Sequence, residues 1–366
     1  MWHLDGLKRA LRESNSDVLF IGPGVNMKYA IGFSPVLDER PCYLAIAHGG
    51  VGLLVPALNQ LQFQNALSGA GESLRQFVYD DADGPAEAES ELLYVLGVRK
   101  VKRWLVDPLL PARFVVPLAR RFEGGELQDG GQMLAVERRV KDAEEARLLA
   151  AAAALADEAM RAAFAALRPE LSEQEVAAVI RAAFERGGAK QVDFAIVAAG
   201  ADGAEPHHLS SAEKIGRGRP IVLDIGCTLD EYASDMTRMA CVGEPDDAEY
   251  PRVHATVERA VEAALDVIAP GATAARVDQA ARRVISAAGY GARFTHRTGH
   301  GIGLETHEEP YIHGANEERL ATGMFFSVEP GIYLPGRFGV RLEEIVQVTE
   351  HGAQVLSGLS RDLYRA

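Results

Sequence analysis

The first third of the chain alternates short apolar runs with segments whose apolar residues recur at helical spacing. Two such segments, 85–97 and 111–122, carry a proline near the first turn, where a helix tolerates it. The apolar runs predict strands at residues 18–22, 43–48, 51–56, 77–79 and 103–107. Because strands are interleaved with helices, the pattern predicts an α/β domain built around one sheet, over residues 1–135.

Glycines at 124–125 and 130–131 predict a linker, and helices dominate the chain that follows. An alanine- and glutamate-rich segment predicts a long helix from residue 138 to about 167, which ends before Pro169. Ser172 and Glu175 have the spacing of a capping box, which predicts the start of another helix. The other predicted elements are the end of that helix at 187–188, a strand at 194–199, and helices at about 246–268 and 273–288.

Four carboxylates fall inside apolar strand patterns of this second half. Asp224 interrupts the run 221–227, and Asp235 lies in the segment 231–238. A turn near residues 229–230 lets these two strands pair as a hairpin, which brings both carboxylates together. Glu329 lies in the segment 325–333 and Glu343 in the segment 339–346. An ionised carboxylate in an apolar strand is costly to bury unless it is paired or bound to a metal.

A histidine- and glycine-rich segment, residues 296–310, lies between the two pairs of carboxylates. Its histidines are His296, His300 and His307. A zinc-protease helix is excluded, because Tyr311 stands where the second histidine would follow His307, and Pro310 interrupts any helix. The glycines also miss the spacing of a dinucleotide-binding loop. The segment therefore offers imidazoles on an extended or turned backbone, with acidic partners on both sides in sequence.

Four carboxylates and a histidine make a metal site the simplest explanation of these patterns. Such donors are hard to intermediate ligands, which suit Mn²⁺ best, with Co²⁺ and Zn²⁺ as alternatives, rather than a thiolate site. Five side chains, several of them able to bridge, can hold two cations about 3.5–4 Å apart.

Composition narrows the classes of partner. The chain has 366 residues, 48% of them hydrophobic, which is enough for two domains with cores. A net charge of −14 argues against nucleic acid or an anionic membrane as a partner. Three cysteines, Cys42, Cys227 and Cys241, provide no disulfide framework or metal-site spacing. No signal peptide or apolar run of about 18 residues is evident, so we expect a soluble, cytoplasmic protein.

The ordered set Asp224, Asp235, His300, Glu329 and Glu343, in these contexts, resembles the pita-bread metallopeptidases, the family of methionine aminopeptidase, aminopeptidase P and prolidase. The resemblance covers roughly residues 140–350. It implies a creatinase-like α/β N-terminal domain over residues 1–135 and an α+β pita-bread (creatinase/aminopeptidase) catalytic domain over residues 136–366. It further implies two metal ions. Asp224 would bind one ion, His300 and Glu329 would bind the other, and Asp235 and Glu343 would bridge the two. The implied nucleophile is a hydroxide that bridges the metals.

The resemblance also implies roles for three further histidines. His207 and its neighbour His208 lie at the position of a substrate-contacting histidine, and His207 is the closer match. His296 and His307 are implied donors to the substrate carbonyl and to the tetrahedral intermediate, whose negative charge strengthens such hydrogen bonds.

A second role for Glu329 and three more residues complete the implied site. Glu329 is an implied proton shuttle as well as a ligand, because a carboxylate held beside the reacting groups suits general acid–base work. Arg341 lies two residues before Glu343, on the same strand face, and is a partner for a carboxylate. Tyr232 and Tyr333 match aromatic positions near the metals, although packing would explain both equally well.

The N-terminal domain has the size found in prolidase, aminopeptidase P and creatinase, and the intact ligand set argues against creatinase. The resemblance therefore implies a metallopeptidase, commonly a homodimer, that cleaves the Xaa-Pro bond of small peptides. We favour an Xaa-Pro dipeptidase over an aminopeptidase P, which acts on longer peptides. A pita-bread module that binds peptides without hydrolysing them remains the alternative from another class. Arg297, Arg337 and Arg341 are candidates to bind the carboxylate of a dipeptide.

Overall fold

The computed structural model describes residues 3–68 and 74–366, which fall into two compact units. The first unit ends at Arg138, and the second spans Arg139–Ala366. Each unit is described by itself. Among the described residues, every helix is too short or too polar to span a lipid bilayer.

The first unit is built on one six-stranded sheet, as the alternating pattern predicts. The strand order is β4-β3-β2-β1-β5-β6, and the central strand β1 runs antiparallel to β2 and parallel to β5. The strands are β1 (Val18–Ile21), β2 (Tyr43–Ala47), β3 (Gly50–Pro56), β4 (Arg75–Tyr79), β5 (Arg103–Val106) and β6 (Glu126–Asp129). The core beneath this sheet contains aromatic residues such as Phe20, Tyr43 and Trp104.

Helices connect these strands, and two of them match the predicted segments. The helices are α1 (Leu4–Glu13), α2 (Val25–Ile31), α3 (Gln60–Leu67), α4 (Ala86–Val95), α5 (Ala112–Arg121) and α6 (Gly131–Arg139). The prediction of a linker near residues 124–131 was wrong, because β6 and the start of α6 occupy it. Strand β6 is polar and lies at the sheet edge, so it lacks the apolar run that indicates a buried strand.

The second unit begins with a helix whose predicted start was wrong. The helix does not begin at residue 138, because Asp142 caps a new helix, α7 (Ala143–Ala166). The Asp142 side chain accepts from the backbone of Glu144 and Glu145, and the Glu145 side chain accepts in return from the Asp142 backbone. The capping box predicted at Ser172 is confirmed and starts α8 (Glu173–Arg186).

Two sheets follow, and one helix pair packs on each. The first has the order β18-β10-β8-β7, with β9 added to β8, and the second has the order β12-β11-β13-β16-β17. The strands are β7 (Gln191–Ala199), β8 (Pro220–Leu229), β9 (Tyr232–Ala233), β10 (Met236–Cys241), β11 (Gly299–Gly301), β12 (Glu308–Ile312), β13 (Phe325–Val328), β14 (Gly331–Leu334), β15 (Phe338–Arg341), β16 (Glu344–Thr349), β17 (Gly352–Val355) and β18 (Tyr364–Arg365). Strands β14 and β15 form a separate hairpin.

The helix pairs supply the apolar cores of the two sheets. Helices α7 and α8 pack on the first sheet through residues such as Met160, Ile180 and Leu223. Helices α9 (Tyr250–Leu265) and α10 (Ala274–Ala287) pack on the second through residues such as Val257, Val277 and Phe326. The unit therefore repeats one plan twice, a helix pair against a sheet.

Candidate metal centre and active site

The five predicted metal ligands converge although they come from both sheets of the second unit. Asp224 lies in β8 and Asp235 just before β10, whereas His300 lies in β11, Glu329 follows β13, and Glu343 lies between β15 and β16. Their donor atoms form two groups, each within 4.8 Å: Asp224, Asp235 and Glu343; and His300, Glu329 and Glu343. Because Glu343 belongs to both groups, the two clusters are contiguous.

The predicted hairpin accounts for two of these positions. Strand β8 pairs with β10, and the turn between them contains Asp230 and Glu231, both with positive φ. Asp224 is opposite Thr237 rather than opposite Asp235, which precedes the ladder. Asp235 still approaches Asp224, because strand alternation places residues 235 and 237 on one face.

The ring of His300 is oriented by the backbone of the next residue. Its Nδ1 lies 3.1 Å from the carbonyl oxygen of Gly301, which can only accept, so Nδ1 carries the proton and donates. Its Nε2 lies 3.2 Å from Oε1 of Glu329 and 3.6 Å from Oδ2 of Asp235. In the neutral ring, Nε2 therefore offers a lone pair beside two carboxylates, the arrangement in which a metal-binding histidine is held.

Two carboxylates of the cluster, Asp235 and Glu343, are buried beside other acidic side chains. Burial, together with the charges of Glu343 and Asp224, raises the pKa of Asp235 well above its ordinary value. Burial, together with Glu329 and Asp224, does the same to the pKa of Glu343. Oε1 of Glu343 is buried and has no hydrogen-bond partner in the described ranges. An oxygen-rich, unsatisfied donor set of this kind fits divalent metal ions.

Arg341 and Thr237 hold two of the carboxylates in place. Nη2 of Arg341 donates to Oδ2 of Asp224 at 2.5 Å, and its Nε donates to Oγ1 of Thr237 at 3.1 Å. Oγ1 of Thr237 lies 3.1 Å from Oδ1 of Asp224 and 2.9 Å from Oε2 of Glu343. Our sequence reasoning missed Thr237, although its alternation with Asp235 in the strand pattern was a signal for it.

A chain of hydrogen bonds links His296 to Arg341. Nη1 of Arg341 donates to the hydroxyl of Tyr333 at 3.0 Å, and that hydroxyl lies 2.8 Å from Nε2 of His296. Nδ1 of His296 faces the carbonyl of Arg297 at 2.7 Å and must donate to it. Burial lowers the pKa of His296, which favours the neutral ring, and in that form Nε2 accepts from the hydroxyl of Tyr333. Both nitrogens of His296 are thus engaged by the chain itself.

A cavity of about 720 Å³ opens over this cluster. His207 and His307 line it, and both are exposed to solvent there. A donor nitrogen of His307 also lies within 4.8 Å of donor atoms of Asp235 and His300. Phe194, together with its neighbours Ile196 and Pro206, forms an apolar part of the wall. With His296 and His300 also in its lining, the cavity combines acidic side chains, four imidazoles and an apolar side.

His208 points away from this cavity and binds Glu173 instead. Nε2 of His208 lies 2.8 Å from Oε2 of Glu173, a fully buried carboxylate at the start of α8. The same carboxylate accepts from the backbone N–H groups of Ala199 and Ser211, each at 2.8 Å. Glu173 thus ties down both ends of the segment that carries His207. Nothing in the local pattern identified Glu173, because its partners lie 26 to 38 positions later in the chain.

A second buried charge supports the segment that carries His307. Nζ of Lys141 lies 2.5 Å from Oε1 of Glu308, and both side chains are buried. Next to this pair, Arg139 contacts Glu309. Lys141 precedes α7 and Glu308 begins β12, so the pair ties the residue next to His307 to the segment before α7. This pair was also missed, since the two residues are 167 positions apart.

Two other residues predicted for the site, Tyr232 and Arg337, lie outside the cavity lining. The hydroxyl of Tyr232 donates to Oε1 of Glu145 at 2.8 Å, and its ring packs with residues such as Phe325 outside the cavity lining. Arg337 is at the surface, with its side chain 43% exposed, and pairs with Asp247. Tyr232 therefore serves packing in this structure, and Arg337 is not available to a ligand in the cavity.

Comparisons with known proteins agree with this architecture. Residues 147–350 match the model of metallopeptidase family M24. The chain is 39% identical to "Probable dipeptidase PepE" of Mycobacterium tuberculosis over 94% of this chain and 91% of that protein. It is 32% identical to "Xaa-Pro dipeptidase" of Pyrococcus furiosus over 98% and 99% of the two chains. The crystal structure of dipeptidase PepE from Mycobacterium ulcerans superposes with a TM-score of 0.91 and 36% identity, covering 99% of this chain and 97% of that one.

These similarities extend over nearly the whole chain, and the predicted fold, with its pita-bread C-terminal part, is confirmed by them. The chain belongs to metallopeptidase family M24.

Proposed function

We propose that this chain hydrolyses the Xaa-Pro bond of dipeptides with two divalent metal ions, of which Mn²⁺ suits the site best. The observation that carries the proposal is the convergence of four carboxylates and Nε2 of His300 on the floor of one cavity. Carboxylate-rich sites favour Mn²⁺ over metals that prefer sulfur. Relatives named dipeptidase and Xaa-Pro dipeptidase, similar over nearly their whole length, support the substrate class.

The two donor groups suggest which residues would hold each ion. Asp224 would chelate one ion, and His300 with Glu329 would hold the other. Glu343 belongs to both groups, and Asp235 approaches both Asp224 and His300, so these two would bridge. When bound, such a pair of ions polarises the peptide carbonyl and makes a water molecule nucleophilic near neutral pH.

The histidines of the cavity wall would act on the substrate oxygen. His307 and His207 are exposed to the cavity and free to donate hydrogen bonds to the scissile carbonyl as negative charge develops on its oxygen. Glu329 would take the proton lost by the attacking water and deliver it to the proline nitrogen, which has no proton of its own before cleavage. The chain would therefore need no serine or cysteine nucleophile.

His296 takes a different role from the one implied by resemblance. Because its Nδ1 donates to Arg297 and its Nε2 accepts from Tyr333, it has no donor left for the substrate. We assign it as a positioning residue that holds the Tyr333 hydroxyl, and through it the Arg341 guanidinium, beside Asp224. The apolar wall at Phe194, Ile196 and Pro206 would receive an apolar part of the substrate, such as the proline ring.

The test is hydrolysis by the Mn²⁺-loaded protein of an Xaa-Pro dipeptide and of the matching Xaa-Pro-Yaa tripeptide, with a chelated sample as control. We expect release of free amino acid from the dipeptide, abolished by the chelator. Cleavage of the tripeptide would instead indicate an Xaa-Pro aminopeptidase. A metal-loaded protein that binds these peptides and cleaves neither would overturn the proposal in favour of a binding module.

A further inference from the structure

Arg238 is a fully buried cation beside the candidate metal centre, and its side chain lies outside the cavity lining. It follows Thr237 in β10, so strand alternation turns the two side chains to opposite faces. A buried guanidinium is costly unless its donors are paired, and Nε, Nη1 and Nη2 of Arg238 all donate hydrogen bonds. The groups that accept these bonds indicate what the charge does.

The first set of acceptors is backbone next to the metal cluster. Nη1 of Arg238 donates to the carbonyl oxygen of Glu343, and to that of Thr237 at 3.1 Å. The Thr237 carbonyl also accepts from the N–H of Glu343 at 3.2 Å. Arg238 thus joins two backbone positions whose side chains meet at the cluster, where Oγ1 of Thr237 lies 2.9 Å from Oε2 of Glu343. A shift of this backbone would move both side chains.

The second set of acceptors belongs to residues 357–361, near the end of the chain. Nε of Arg238 donates to the carbonyl oxygen of Ser360 at 3.1 Å, and Nη2 donates to Oγ of Ser357 at 3.1 Å. The Ser357 hydroxyl in turn donates to Oδ1 of Asp157, in α7, at 2.6 Å. The segment 357–361 is therefore fixed to the first helix pair while it holds Arg238.

A second arginine supports the same position from the outside. Nη1 of Arg361 and Nη2 of Arg238 each donate to Oε1 of Glu344 at 3.0 Å. Arg361 also binds Glu258 of α9, through Nε at 3.0 Å and Nη2 at 2.8 Å. Two cations thus share the carboxylate of the residue that directly follows Glu343, and one of them is anchored to the second helix pair.

We propose that Arg238, held by the segment 357–361, is a positioning residue for Glu343 and Thr237. The proposal rests on the proposed function, in which Glu343 bridges two metal ions. Arg238 would act through the backbone of these residues and touch neither metal nor substrate. Groups that orient metal ligands in this way commonly change metal affinity or activity about 10- to 100-fold. Metal binding would then depend on a part of the chain that lies outside the cavity.

The test measures Mn²⁺ binding and Ala-Pro hydrolysis by the full chain. Arg238→Lys retains the charge but cannot reach acceptors on both sides. We expect the dissociation constant of the more weakly bound Mn²⁺, measured from the EPR signal of free Mn²⁺, to rise roughly 10-fold or more. At saturating Mn²⁺, kcat should fall by about the same factor while KM for Ala-Pro changes less than about threefold, because the substrate contacts are retained.

Arg361→Gln keeps the test decisive if the lysine variant does not fold. Its side chain is 20% exposed, and its loss weakens the support of Glu344 from the outside. We expect a smaller change in the same direction, about three- to tenfold in Mn²⁺ affinity and in kcat. Arg365→Gln is the matched control: it removes an arginine four residues later that pairs with Glu244 at the surface. It should leave both quantities unchanged.

The outcomes separate this role from the proposed function. If the wild type binds Mn²⁺ but cleaves no Xaa-Pro dipeptide, the proposed function fails, and the Mn²⁺ titrations of the variants still decide the role of Arg238. If the wild type is active and Arg361→Gln and a folded Arg238→Lys keep its Mn²⁺ affinity and kcat, only the positioning role is overturned. A lower melting temperature without those losses would likewise overturn it, because Arg238 would then serve stability alone. Equal losses in Arg365→Gln would overturn it as well.

Discussion

Nε2 of His208 lies 2.8 Å from Oε2 of Glu173, and this contact joins the first turn of α8 to the segment that carries His207. Neighbouring histidines thus have opposite environments: one ring is buried against a carboxylate, and the other lines the cavity. Glu173 acts on the site through backbone and imidazole donors and touches no substrate. It is a positioning residue.

Replacing Glu173 by glutamine should therefore lower activity without removing metal. Glutamine retains one acceptor oxygen for three donors and carries no charge, so we expect kcat to fall about tenfold, as for loss of one hydrogen bond to a charged group. Metal content should stay at the wild-type level. Glu185→Gln, an exposed residue on the same helix, is the control and should leave kcat unchanged. Wild-type kcat in Glu173→Gln would contradict the positioning role.

Asp235→Asn tests the bridging assignment. The variant removes one negative charge from a buried position beside Asp224 and Glu343, and a neutral amide is a poor ligand for two cations at once. We expect at least a 100-fold drop in kcat and less than two metal ions per chain, measured by elemental analysis. Wild-type turnover together with full metal content would rule out the two-metal arrangement.

His307→Ala separates a substrate contact from a ligand. If His307 donates to the substrate oxygen, its loss should reduce kcat roughly 100-fold, the usual cost of one such donor, and leave metal content unchanged. Because its ring also approaches Asp235 and His300 closely, metal content is the deciding measurement. A matched loss of metal would show that His307 is itself a ligand.

Lys141→Met tests the buried pair beneath the His307 segment. Removing the ammonium from a buried carboxylate commonly costs about 3–5 kcal/mol, so the free energy of unfolding should fall by that order. Lys190 forms a comparable pair with Glu231, but at the surface, and Lys190→Met should cost less than about 1 kcal/mol. The measurement is urea unfolding of the metal-loaded protein. If the two variants lost equal free energy of unfolding, the buried pair would contribute no more than the surface pair.

His254 provides a pH test away from the metal cluster. Burial lowers its pKa from an ordinary value of 6.5, although the charges of Glu258 and Asp362 oppose the shift. Near pH 6 the unfolded chain therefore binds a proton that the folded chain does not, so stability falls as the pH drops below about 6.5. His254→Gln should lose less free energy of unfolding between pH 8 and pH 5.5 than wild type does. An identical pH dependence would refute this assignment.

The four carboxylates of the site could be predicted because each is a polar residue where a strand pattern calls for an apolar one. Asp224 and Glu343 are of this kind, and the structure brings them together as expected. The residues that hold the site in position could not be predicted. Glu173 and Lys141 are ordinary charged residues near helix starts, and their importance depends on partners that only the folded chain brings near.

The same limit applies to the fold and to the arginines. Strand β6 was missed because an exposed edge strand need not be apolar. The start of α7 was misplaced because α6 ends at Arg139 and Asp142 caps a new helix. Arg297, Arg337 and Arg341 were equivalent candidates in the sequence. Only their surroundings in the fold distinguish them. Arg297 stacks on the ring of Tyr311, Arg337 pairs with Asp247 at the surface, and Arg341 pairs with Asp224 in the cluster.

Because the donor atoms come from both sheets of the second unit, metal ions held there would act as cross-links between the two sheets. Ligands that bind only the folded state stabilise it in proportion to their affinity and concentration. Chelation should accordingly lower the melting temperature and increase hydrogen exchange where β10 meets the Glu343 segment, at the contact between the Thr237 carbonyl and the Glu343 N–H. Activity and the metal-dependent contact between the two sheets would then be lost at the same metal concentration.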